Sequence, residues 1–130
     1  MKPVKQTRTG ERGNCYAACI ATLLEIKLSE VPELDTEKPE DFWKTVRNWL
    51  ESKGYALVHV GPSISRYLYN AYYIASGPSP RLNGILHACI YKGDEPVFDP
   101  APDNLFFGGK EFTEIDLLVP IFSPPPTPEA

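Results

Sequence analysis

The chain has 130 residues, 42% of them hydrophobic and 23% charged, and a formal net charge of −4. That balance is ordinary for one globular domain, and the length allows a core without metal or disulfide staples. No lysine or arginine cluster stands out and no apolar run is long enough to span a bilayer, which argues against nucleic acid and membrane as partners.

Residues 1–13 are polar and basic and read as an extended arm leading to Cys15. From Tyr16 to Ile26 only Thr22 and Glu25 are polar, so a helix here is hydrophobic nearly all round and belongs inside a domain. It is expected to end near Ile26, before a turn over Leu28–Pro32 with Ser29 as a possible cap. Residues 33–38 read as a charged linker. A second helix is then marked by Pro39 at its first position, Glu40 and Asp41 at the positive end of its dipole, and Gly54 as its stop. Phe42, Val46, Trp49 and Leu50 give it one apolar face.

Strands follow. Tyr55–Val60 is expected as the first, then one or two helical turns within Ile64–Asn70, then a short strand Tyr72–Ala75 ending at Ser76-Gly77-Pro78-Ser79-Pro80. Ile85–Tyr91 and Pro96–Asp99 flank a hairpin turn at Lys92–Glu95. Thr113–Phe122 closes the fold, with Pro120 implying an edge position or an early end. The expected class is α+β, a central N-terminal helix against a small antiparallel sheet over residues 1–122, with the proline-rich residues 123–130 as an unpacked tail.

Cys15 is placed at the head of the buried helix, where unpaired N–H groups and the helix dipole favour the reactive thiolate. Only two histidines exist, His59 and His87. Alternation along the predicted strand Ile85–Tyr91 puts His87, Cys89 and Tyr91 on one face. A hairpin centred on Gly93 would set His87 opposite Asp99, within reach of a hydrogen bond. These three side chains suit nucleophilic acyl transfer: Cys15 attacks, His87 moves the proton, and Asp99 fixes the ring. The Cys15 N–H and the amides of Gln6 and Asn14 are the candidates for oxyanion and substrate contacts.

Gln6, then Gly13-Asn14-Cys15-Tyr16-Ala17-Ala18-Cys19, then His87-Ala88-Cys89-Ile90-Tyr91 and Val97-Phe98-Asp99-Pro100 together resemble the papain-like cysteine peptidase superfamily. The likeness is closest to the small bacterial branch typified by leader-peptide-cleaving domains of bacteriocin exporters. The block from Ile74 to Arg81 is also similar to that of small bacterial and phage proteins of the superfamily. The resemblance implies a papain-like fold, Cys15 as nucleophile, His87 as base, Asp99 as orienting acid and Gln6 as oxyanion donor. Two positions depart from the family pattern: Tyr16 stands where glycine is usual, and Gln6 lies farther upstream of Cys15.

The reaction expected is hydrolysis of peptide or isopeptide amide bonds, with a peptide or protein as substrate and no metal or cofactor. Deamidation or transamidation by the same triad is the nearest chemical neighbour. An inactive scaffold serving as a binding module is the second alternative, and a zinc set from Cys15, Cys19, His87 and Asp99 is the third. Three cysteines in no framework spacing and no legible signal peptide point to a reducing cytoplasm. Cys19 and Cys89 are read as packing residues, His59 as a strand histidine with a satisfied ring, and Arg81 as a loop anchor.

Overall fold

A computed structural model describes residues 1–10, 13–34 and 37–122. Its class is α+β: two helices followed by a five-stranded sheet of order β1-β5-β2-β3-β4, in which all paired strands are antiparallel. Helix α1 spans Cys15–Leu24 and α2 spans Pro39–Ser52. The strands are β1 (Tyr55–Val60), β2 (Tyr72–Pro78), β3 (Leu86–Lys92), β4 (Glu95–Phe98) and β5 (Glu114–Pro120). The predicted tail, 123–130, lies outside the described residues.

The apolar run of α1 does what its composition dictates: every residue from Tyr16 to Thr22 is buried. The helix stops at Leu24, two residues earlier than its hydrophobic run suggests, because Glu25 turns into the left-handed region (φ 56°) and its N–H caps the carbonyls of Ala21 and Thr22. Thr22, the polar residue in mid-helix, is satisfied by donating to the Ala18 carbonyl at 2.8 Å and accepting the Val4 N–H at 2.9 Å. In α2, Pro39 opens the helix and Gly54, at φ 90°, follows its end, while Val46 and Leu50 are the buried residues of its inner face.

Both helices cover one face of the sheet. Ile20, Val46 and Leu50 pack there with Ile74, Ala88 and Ile90. The opposite face carries Tyr73, Ala75, Cys89 and Ile115 beneath Phe107, with Tyr91, Phe106 and Phe112 alongside. The long connection from Asp99 to Thr113 therefore acts as the second cover.

Three expectations change in detail. Strand β2 runs on through Ser76-Gly77-Pro78, because these residues pair with Ala88, His87 and Leu86. Glycine is needed at 77, since a Cβ there would come within 2.8 Å of the Phe112 Cα. Strand β5 is interior, between β1 and β2, so Pro120 marks the strand's end and not an edge. The hairpin is also not centred on Gly93: Lys92 faces Glu95, Tyr91 faces Pro96, and past an irregularity Ile90 faces Phe98. The turn shifts the register by one residue and the bulge by another. A shift of two preserves the face on which every side chain lies. Continued, this register sets Asp99 opposite Cys89 and diagonal to His87, on their shared face.

Candidate active site

Cys15 is the first residue of α1 and is partly exposed. Its N–H belongs to the first turn, where no intrahelical acceptor exists. Asn14 precedes it and staples the arm to the helix: its Oδ1 accepts the Thr7 and Arg8 N–H groups at 3.0 and 2.9 Å, and its Nδ2 donates to Thr7 Oγ1 at 2.8 Å.

His87 lies one residue inside β3 and is 3% exposed. Its Nε2 meets Asp99 Oδ1 at 2.6 Å. Cys15 stands near enough to the ring to raise its pKa, and with Nε2 taken by the carboxylate, Nδ1 is the nitrogen left to face the sulfur. Burial disfavours a charge on this ring, but the bond to Asp99 and the neighbouring Cys15 prevail and hold its pKa up at about 9.

Asp99, 1% exposed, is an acceptor on every side. Besides His87, Oδ1 takes the Ala101 N–H at 2.9 Å and Oδ2 the Phe106 N–H at 2.8 Å. Burial pushes the carboxyl upward, yet these donors outweigh it and leave Asp99 below its ordinary value. The segment itself is held by the N-terminal arm. Lys5 Nζ donates to the carbonyls of Asp99 and Ala101, both at 2.8 Å, and to Asn104 Oδ1 at 2.7 Å, while the Gln6 N–H donates to the Pro100 carbonyl at 2.9 Å.

The structure thus brings Cys15, His87 and Asp99 together. Gln6 and Asn14 share with Cys15 and His87 the lining of a cavity of about 450 Å³. One hydrogen of Gln6 Nε2 goes to the Arg8 carbonyl at 2.7 Å, which leaves its second hydrogen free of that bond. Gln6 Oε1 is shut away from solvent with no hydrogen-bond partner among the described residues. The cavity lies between α1, the segment around Val31, the start of α2 and the loop Ser79–Leu86. Arg8 and Glu33 pair across its rim at 2.8 Å.

Cys19 is fully buried and burial drives its thiol well above the ordinary range, as a packing residue requires. Cys89 is held up in the same way, and its donor atom lies within 4.8 Å of those of His87 and Asp99. A metal bound here would need the Cys89 thiolate, which burial opposes, and the imidazole nitrogen and carboxylate oxygen already committed to each other. The donor chemistry fits a hydrogen-bonded dyad better than a metal set. Arg81 anchors its loop through two contacts to Asp103, at 2.7 and 2.8 Å.

Sequence reasoning missed a second constellation next to the first. His59 Nδ1 bonds Asp116 Oδ1, and Asp116 Oδ2 accepts the Tyr16 hydroxyl at 2.8 Å. Asp116 is 1% exposed whereas the His59 side chain is 55% exposed. The signal was present: a buried carboxylate demands partners, and Asp116 interrupts the apolar run of β5. Tyr16 is thereby drawn into the core, edge-on to Phe42 and Trp43. No family model matches the chain, and no curated protein or solved structure is significantly similar to it.

Proposed function

We propose that the chain is a cytoplasmic, papain-like thiol hydrolase that cleaves peptide or isopeptide amide bonds through an acyl-enzyme. One observation carries this reading: the His87 ring is hydrogen-bonded to a buried carboxylate and shares a cavity lining with a cysteine that heads a buried helix. In this mechanism Asp99 accepts from Nε2–H and fixes the ring so that the imidazolium, favoured by its raised pKa, turns Nδ1–H towards the Cys15 sulfur. The sulfur, its proton already held on Nδ1, attacks the carbonyl carbon. The C–N bond then breaks, and the departing amine takes that proton from His87. Water attacks the thioester with His87 as base, releasing the acid and restoring the thiol. The Cys15 N–H and the free hydrogen of Gln6 Nε2 are the donors for the oxyanion.

The test is covalent. Cys15→Ala is expected to abolish labelling by an electrophilic peptide probe while unfolding at the same denaturant concentration as the wild type. His87→Ala is expected to slow labelling and turnover by about two to four powers of ten. Labelling retained in Cys15→Ala, or wild-type rates in His87→Ala, would leave only the binding-module reading.

A further inference from the structure

The cavity holds one acidic side chain that the triad chemistry does not use. Glu114 opens β5 and pairs with Ser76 of β2. Alternation then sets it on the helix-covered face of the sheet, two residues before Asp116. It is half-buried and lines the cavity together with Ser76, Tyr16 and Trp43. Its charge is felt by both Tyr16 and His59, which places the carboxylate beside the aromatic wall.

What singles Glu114 out is that it has neither an ion-pair partner nor a hydrogen bond among the described residues. The other carboxylate on the cavity lining, Glu33, is neutralised by Arg8. Arg81 is engaged by Asp103. Asp116 is satisfied by Tyr16 and His59. A single uncompensated negative charge therefore stands at the edge of a cavity walled by Tyr16, Phe42, Trp43 and Val31. This combination matches one kind of side chain: a long aliphatic stem that packs along aromatic rings and ends in a cation.

We propose that Glu114 is a specificity-determining residue that receives the cationic head of a lysine or arginine of the peptide substrate. The proposal rests on the thiol-hydrolase reading and names the substrate class of that site. Aromatic walls favour either stem. The charge-assisted bond to Glu114 then separates a basic residue from a neutral one of the same shape.

The experiment compares fluorogenic peptide amides that differ in one side chain, arginine against citrulline and lysine against norleucine, at each of the four positions preceding the scissile bond. At one position the wild type is expected to favour the cation by about tenfold or more in kcat/KM. Glu114→Gln brings that ratio close to one, and Glu114→Lys shifts the preference to a glutamate-bearing peptide. Equal rates for charged and neutral peptides at every position, or a preference that survives in Glu114→Gln, would overturn the assignment. Each ratio is taken within one protein, so a variant of lower stability still reports its preference, and either Glu114→Gln or Glu114→Lys serves if the other does not fold. The two readings fail differently. Turnover without charge preference removes Glu114 only, whereas no turnover of any peptide and no labelling of Cys15 removes both.

Discussion

His87 is buried at the meeting point of a thiol and a carboxylate, and its titration is tied to folding. Its folded pKa of about 9 lies above the ordinary histidine value near 6.5. The stabilisation this confers is complete below about pH 6.5 and disappears as pH rises through about 9. Urea unfolding of wild type and His87→Gln at pH 6 and pH 9.5 is expected to show the wild type losing on the order of 1–3 kcal/mol more than the variant. Asp99 has the opposite sign: its lowered pKa gives stability that is present above the ordinary carboxylate value and lost as pH falls through the folded one. At Tyr16, removing the hydroxyl leaves the buried Asp116 with one partner fewer. Tyr16→Phe is expected to cost about 1–2 kcal/mol in denaturant unfolding, and a cost within error would mean that water replaces the phenol.

At the level of elements, the arm and the Asp99 segment behave as one unit. Lys5 reaches three acceptors across residues 99–104, and among the described residues of the arm the Gln6 N–H supplies one further hydrogen bond to that segment. Lys5→Met preserves the stem but removes the ammonium. We expect kcat to fall several-fold with KM little changed, and amide exchange to quicken over residues 99–106; unaltered exchange there would show that the clamp is dispensable. Local pattern made much of this framework legible. Proline and glycine fixed the limits of α2, and the uninterrupted apolar run announced a buried α1. The hairpin was harder, because a bulge between Ile90 and Tyr91 has no signature in residue type, and only the parity of its two-residue shift kept His87 and Asp99 on one face. Lys5 was unreadable for a different reason: its acceptors lie 94 to 99 residues away along the chain.

For the molecule as a whole, the sheet separates two apolar layers, helices on one side and the aromatic cluster around Phe107 on the other. His87 sits at its margin and joins them, with Cys15 reached from the helical side and Asp99 and Phe107 from the other. Strand interiority was not legible, since the placement of β5 between β1 and β2 depends on pairings far apart in sequence. The sidedness of Glu114 and Asp116 follows from that placement, and with it both the second histidine network and the charge at the cavity edge.

The docking of the arm makes the geometry around Asp99 depend on residues remote from it in sequence. Loss of Lys5 and Gln6 would leave the sulfur, ring and carboxylate chemically whole, yet remove the four bonds by which the arm grips residues 99–104.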